Sequence, residues 1–133
     1  MSKTNLKELN MNRRHLGGIT SAPSPLTLVA VATALRGQEA ALKAAQEKLV
    51  AETVKEPGCL RYELHQSLED GRVLVFVETW ASEAQWGAHM QGAAIKRFHA
   101  SGAGNLIQDF WLMRMQLVSD GKSNQNQLTH HKL

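Results

Sequence analysis

Two segments of this 133-residue chain are apolar at nearly every position, and this constrains the fold more than any other feature. They are residues 26–35 and 73–77, and both contain several β-branched side chains. Short apolar runs of this kind are typical of strands. A strand that is apolar on both faces has to be covered on both faces, because a solvated face is normally polar. The sequence therefore predicts a sheet that is buried on its two sides.

The patterns between these runs predict further strands and two helices. Residues 38–55 are rich in Ala, Lys, Glu and Gln and place Leu42, Ala45, Leu49 and Thr53 on one helical face. Residues 59–66 alternate apolar and polar side chains, as a half-buried strand does. Residues 72–80 form the returning strand, a second helix precedes a pair of glycines at 102 and 104, and residues 106–118 form a last, long strand.

Turn and capping residues separate these elements. Pro57-Gly58 ends the first helix. Asp70-Gly71 predicts a tight hairpin with positive φ at both central positions. Ser82 and Gln85 form a capping box that starts the second helix, in which Gly92 introduces a bend.

The resulting order, β-α-β-β-α-β, predicts an α+β fold of the ferredoxin-like kind, with a four-stranded antiparallel sheet and both helices on one face. The helices leave the second apolar face of the sheet uncovered. We expect a second copy of the chain to cover it, which gives a homodimer with two sheets packed face to face.

The chain divides into an N-terminal arm (1–25), one domain (26–118) and a C-terminal tail (119–133), with both terminal segments expected to be disordered. Arg13-Arg14 loosely imitates a twin-arginine export signal, but glycines and prolines interrupt the segment where an apolar region should follow. Either Met1 or Met11 suits a start codon.

Composition excludes several classes of partner. The net charge of +3 comes without a basic stripe, which argues against nucleic acid, and no apolar run approaches a membrane span of about 20 residues. A single cysteine, Cys59, suits a reducing compartment, so we expect a cytoplasmic protein. No Cys/His cluster has metal-binding spacing and no nucleotide fingerprint is present, so neither a metal nor a bound cofactor is expected.

Glu78, Trp80 and His89 form the candidate site. The first two end a strand, and the capping box places the histidine two turns into the next helix. A carboxylate, an indole and an imidazole therefore meet in one neighbourhood, where a pocket is expected to open. Trp80 also suits a core role, and His89 a structural hydrogen bond. For Glu78, an ion pair with Arg61 or Arg97 is expected.

The segments 56–66 (EPGCLRYELHQ) and 78–82 (ETWAS), followed by His89, resemble the antibiotic biosynthesis monooxygenase family of dimeric α+β barrels. The resemblance covers roughly residues 26–118. It implies cofactor-free oxygenation of a phenol, anthrone or quinol, in which the deprotonated substrate reduces O2 directly. It further implies that Trp80 stacks on the substrate and His89 takes or steers a proton, with Tyr62, Glu78 and Phe98 as substrate contacts.

The chain departs from the family pattern at two places. Many members carry a second histidine in a Thr-Pro-His segment, where this chain has Gly92-Ala93-Ala94. The haem-degrading branch uses an asparagine on its first strand, and residues 26–34 contain none, which disfavours haem degradation. Two alternatives therefore stay open beside the monooxygenase: a dimeric module that binds a small molecule without turnover, and a non-oxidative isomerase.

Overall fold

A computed structural model of the protein describes residues 24–121, which form one four-stranded antiparallel sheet with the helices packed on one face. The strand order is β2-β3-β1-β4. The strands are β1 (Leu26–Ala34), β2 (Cys59–Gln66), β3 (Val73–Trp80) and β4 (Ile107–Met115). The helices are α1 (Glu39–Thr53), α2 (Glu83–Met90) and α3 (Ala93–Ala100), and a 3-10 turn (Ala103–Leu106) precedes β4. The predicted ferredoxin-like α+β fold is confirmed.

The break between α2 and α3 lies at Gly92. Gly92 caps α3, and a Cβ atom added there would lie 3.1 Å from the backbone oxygen of Ala88. The expected bend is thus a complete break between two short helices. The start of α2 also agrees with prediction, since the Ser82 hydroxyl accepts a hydrogen bond from the Gln85 backbone N–H at 3.2 Å. This cap fixes the rotation of α2 and directs His89 inward.

The predicted β2–β3 hairpin turn is wrong. Neither Asp70 nor Gly71 has a positive φ, and residues 67–72 form a longer loop instead. The Ser67 hydroxyl organises this loop by accepting hydrogen bonds from the backbone N–H groups of Glu69 and Asp70, each at 3.1 Å. The last strand is also shorter than predicted. It begins at Ile107, after the 3-10 turn, and it ends at Met115 rather than at residue 118.

The buried face of α1 includes a residue that the sequence pattern did not place there. The stripe consists of Leu42, Gln46, Leu49 and Thr53, and Gln46 takes the place predicted for Ala45. The spacing of four, three and four residues is that of a straight helix lying on a sheet. A polar amide therefore faces the protein interior.

The second face of the sheet carries rows of apolar side chains across three strands. Val29 pairs with Met113 on one side and Val77 on the other, and Val31 pairs in the same way with Trp111 and Val75. These side chains are only partly buried, whereas those on the helix side of β1 are fully buried. The central strands are therefore apolar on both faces, as expected.

The predicted arm and tail lie almost entirely outside the described residues, as does the Arg13-Arg14 pair. Within residues 24–121, no helix has the length and apolar character needed to cross a membrane.

Candidate functional site

His89 lies inside the protein and has one partnered and one free ring nitrogen. Its Nδ1 lies 2.8 Å from Oε1 of Glu56, which follows α1 in the connection to β2. A carboxylate accepts hydrogen bonds, so we assign the ring proton to Nδ1. Nε2 is buried and has no hydrogen-bond partner among the described residues.

The environment keeps this imidazole neutral. Burial lowers the pKa of His89 below its usual value, and the hydrogen bond to Glu56 and its charge oppose this only in part. A neutral ring with the proton on Nδ1 exposes a lone pair at Nε2. The buried nitrogen can therefore accept a proton from a group placed against it.

Trp80 forms the support behind His89. The two rings stack with centroids 4.7 Å apart and planes inclined by 30°. The indole is fully buried, and its Nε1–H donates a hydrogen bond to Oε1 of Glu78 at 3.0 Å. Trp80 is absent from the wall of the cavity described below, so its stacking partner in this structure is the imidazole. The expected stacking of Trp80 on a substrate stays a prediction.

Glu78 is a buried acid that forms no ion pair with a cationic side chain within residues 24–121. Burial raises its pKa to about 7, and the hydrogen bond from Trp80 acts in the opposite direction. Near neutral pH this carboxyl group is therefore divided between its protonated and ionised forms, and it can give or take a proton.

The predicted ion pair of Glu78 with Arg61 or Arg97 is wrong. In the β2–β3 register Glu78 is opposite Tyr62, so Arg61 belongs to the other face of the sheet. Arg61 binds Glu63 at 3.1 Å, and Arg97 binds Glu52 at 3.0 Å.

A cavity of about 550 Å³ lies between the sheet and the helices. Four of the five predicted site residues line it, namely Tyr62, Glu78, His89 and Phe98. Most of the remaining wall is apolar and comes from all three helices and from strands β1, β3 and β4. The volume and the apolar wall suit a small aromatic molecule.

Tyr62 contributes a further polar group to this wall. Its ring meets that of His89 edge-on at a centroid distance of 5.3 Å. Burial raises the pKa of its phenol, and the charge of Glu78 adds to the effect. Tyr62 therefore keeps its proton at neutral pH and can donate a hydrogen bond to an anion in the cavity.

A smaller pocket of about 370 Å³ lies beyond His89 on the outside of α2 and α3. We call it the outer pocket, and its polar wall comes from Glu52, Glu56, Gln85 and Arg97. His89 is part of the walls of both the cavity and the outer pocket. The imidazole and its carboxylate partner thus lie between the inner cavity and the outer pocket.

Two residues of the site were missed by the sequence analysis. Gln46 lines the cavity, is 1% exposed and has an unpaired Oε1, and the i, i+4 spacing from Leu42 could have revealed it. Glu56 is the first residue of the segment 56–66, and the sequence analysis assigned it no role in the site. No local signal identifies it as a partner of His89, since 33 positions separate the two.

The described residues contain no group of three or more His, Cys, Asp or Glu side chains that could hold a metal ion. The polar side chains in the cavity wall are those of Gln46, Tyr62, Glu78, His89, His99, Gln108 and Asp109.

Comparisons with known proteins agree with this architecture. The structure is similar to that of a Pseudomonas aeruginosa protein with 31% sequence identity and a TM-score of 0.69, over 75% of this chain and 100% of that one. A Shewanella oneidensis protein is 28% identical with a TM-score of 0.67, over 73% and 95% of the two chains. A crystal structure described as an antibiotic biosynthesis monooxygenase shares the fold at 24% identity, with a TM-score of 0.66 over 71% and 99%.

No curated protein matches the sequence significantly. The family model for antibiotic biosynthesis monooxygenases, however, matches residues 25–101, which is more than half of the chain and includes Glu56, Tyr62, Glu78, Trp80, His89 and Phe98 but not the part of the cavity wall that comes from β4. This protein belongs to the antibiotic biosynthesis monooxygenase family.

Proposed function

We propose that this protein is a monooxygenase that oxidises an aromatic phenol, anthrone or quinol with O2 and without a bound cofactor. One observation carries the proposal: His89, a neutral imidazole with an unpaired, buried Nε2, is in the wall of a largely apolar cavity of about 550 Å³. An acidic O–H or C–H group of an aromatic substrate is the partner that this nitrogen lacks. Family membership agrees with the reaction class.

In the proposed reaction, His89 Nε2 removes a proton from the substrate and leaves an electron-rich anion in the cavity. The Tyr62 O–H donates a hydrogen bond to that anion, and the apolar wall holds its ring and keeps water out. The anion reduces O2 directly. For a hydroquinone, one oxygen atom enters the ring to give a hydroxyquinone and the other leaves as water, so the substrate supplies all four electrons.

Oxygen uptake tests this function. Purified protein is mixed with a panel of anthrones and reduced naphthoquinones, beside a His89→Asn variant. A matched control is His65→Asn, because His65 is exposed on β2 and its ring binds Glu63 away from the cavity. We expect uptake above the buffer rate that survives in the control and is lost in His89→Asn. Uptake no faster than in buffer with every substrate, or full activity in His89→Asn, would refute the function.

An isomerase is the second candidate, favoured by the placement of Glu78 and His89 on one cavity wall. A neutral imidazole and a carboxyl group with a pKa of about 7 could remove a proton at one atom and return one at another. Product mass separates the candidates, because an isomerised product has the mass of its substrate. A ligand that binds without any product would instead identify a binding module.

We also propose that the protein is a homodimer in which the two sheets pack face to face. The partly buried rows through Val29 and Val31 support it, because an apolar surface of this extent is unusual on a monomer. Sedimentation velocity should give a dimer for the parent chain and a monomer for Val31→Lys. A monomeric parent would contradict the proposal.

A further inference from the structure

We infer that Glu56 is a proton outlet, which receives a proton from His89 and exchanges it with water in the outer pocket. The inference rests on the proposed function, because it explains where the substrate proton goes. In this role Glu56 transfers a proton, in addition to orienting the imidazole ring of His89.

The two members of the pair differ in their access to solvent. The His89 side chain is 1% exposed and that of Glu56 is 22% exposed, although the atoms that join them are only 2.8 Å apart. His89 reaches the apolar cavity, and Glu56 is in the wall of the outer pocket but not in that of the cavity. Among the described residues, the imidazole therefore hydrogen-bonds to a carboxylate that also lines the outer pocket.

The chemistry of the cavity makes such an outlet useful. When Nε2 takes a proton, a buried imidazolium forms, and the burial that lowers the pKa of His89 disfavours it. In the relay, the substrate O–H bond breaks as Nε2–H forms, and the Nδ1–H bond breaks as a bond to Glu56 Oε1 forms. Glu56 then releases its proton to water in the outer pocket. When Nε2–H is given to the departing oxygen atom, Glu56 takes up a proton from water and passes it to Nδ1, so the pair returns to its starting state with no net release of protons.

The charges around the pair suit proton exchange at the outer side. Glu52 and Arg97 form an ion pair across the outer pocket at 3.0 Å, so Arg97 is held by a different carboxylate from Glu56. On the inner side, the cavity wall carries four titratable groups besides His89, namely Tyr62, Glu78, His99 and Asp109. Cys59 lies near enough to the pair for the charge of Glu56 to raise its pKa.

A carboxylate beside a catalytic histidine can also act by orientation alone, as in the Ser-His-Asp triad, where the buried acid does not become protonated. The partial exposure of Glu56 distinguishes it from that case. Glu56→Gln separates the two roles, because an amide oxygen still accepts from Nδ1–H but the side chain cannot accept and release a proton.

Turnover and chemical rescue form the first test. Removal of one proton-transfer group costs about 10²–10⁴-fold in rate in many enzymes, so we expect kcat to fall at least ~10-fold in Glu56→Gln with KM nearly unchanged. In Glu56→Ala, acetate that enters the emptied outer pocket should restore kcat in proportion to its concentration. Acetate should not help Glu56→Gln. Glu52→Gln, which removes another carboxylate of the outer pocket, is the matched control and should keep its kcat.

The second test needs no substrate. In protein labelled with ¹⁵N-histidine, NMR measures how fast the Nδ1 proton of His89 exchanges with water. We expect slower exchange in Glu56→Gln, faster exchange with acetate in Glu56→Ala, and the parent rate in Glu52→Gln.

Failure of the proton outlet and failure of the proposed function give different results in these two tests. Parent kcat and parent exchange rate in Glu56→Gln would overturn the outlet while the monooxygenase stands. Exchange that depends on Glu56, in a protein that oxidises no substrate, would support the outlet and refute the proposed function. An activity loss in Glu56→Ala that acetate does not reverse would reduce Glu56 to a positioning residue.

Discussion

The indole of Trp80 donates a hydrogen bond to Glu78 Oε1 at 3.0 Å and stacks on the imidazole of His89. One buried side chain therefore supports both the acid and the base of the cavity. Because the indole lies behind these groups, its first expected effect is on their positions and pKa values.

Replacing Trp80 by Phe should disturb Glu78 first. Loss of the Nε1–H donor leaves a buried carboxyl oxygen unpaired, so we expect a loss of about 2 kcal/mol in the free energy of unfolding. It should also raise the pKa of Glu78 above about 7, because the hydrogen bond from Trp80 is what opposes burial. Urea unfolding and NMR titration of Glu78 measure the two effects. The control is Trp111→Phe in β4, whose side chain lies on the other face of the sheet from Trp80 and Glu78. It should leave the pKa of Glu78 unchanged.

Glu78 should make the fold less stable as pH rises, which is opposite to the usual behaviour of a carboxylate. Its folded pKa of about 7 exceeds the ordinary 4.5, so between these values the folded state binds more protons than the unfolded state. The contribution is present at low pH and is lost as pH rises through 7, by up to about 3 kcal/mol. Glu78→Gln should therefore gain stability relative to the parent between pH 5 and pH 8 in urea unfolding. An unchanged difference would show that the acid is ionised throughout.

The proposed oxygenase activity should be lost in acid, at a pH below the ordinary histidine pKa of 6.5. Burial lowers the pKa of His89, so the neutral base persists below the ordinary value and is lost only when the pH passes the lowered pKa. Glu56 opposes that shift, and hence Glu56→Gln should move the acid limb of kcat/KM to still lower pH. An acid limb of kcat/KM at the same pH in Glu56→Gln and in the parent would show that a group other than His89 determines it.

Gln46→Leu should stabilise the free protein and weaken ligand binding. The Oε1 atom is buried without a partner, and an unsatisfied buried group of this kind costs about 1 to 3 kcal/mol. A leucine of similar size removes that cost and also removes an acceptor for a substrate hydroxyl. We expect a higher urea midpoint together with poorer discrimination between a hydroquinone and its monomethyl ether. Lower stability in Gln46→Leu would show that the amide is satisfied in solution.

Much of the fold follows from local patterns. The apolar runs of β1 and β3, the Ser82 cap and the break at Gly92 each depend on residues close together in the chain. The β2–β3 turn did not follow, because a hydroxyl at Ser67 organises a longer loop than Asp70-Gly71 suggests.

The site was less accessible to sequence reasoning. Spacing brought Glu78, Trp80 and His89 into one neighbourhood, but which atom bonds to which depends on strand register and helix packing. Glu56 reaches His89 because the connection from α1 to β2 passes beside α2, where Gly58 also lies close to Gln85. No pattern within a single segment contains that contact.

Mass spectrometry of the product formed under ¹⁸O2 tests the central claim most directly. With a reduced naphthoquinone as substrate, we predict a hydroxynaphthoquinone that carries one ¹⁸O atom, formed by the parent protein and by His65→Asn and not by His89→Asn. A product without ¹⁸O, or equal labelling with His89→Asn, would contradict the account.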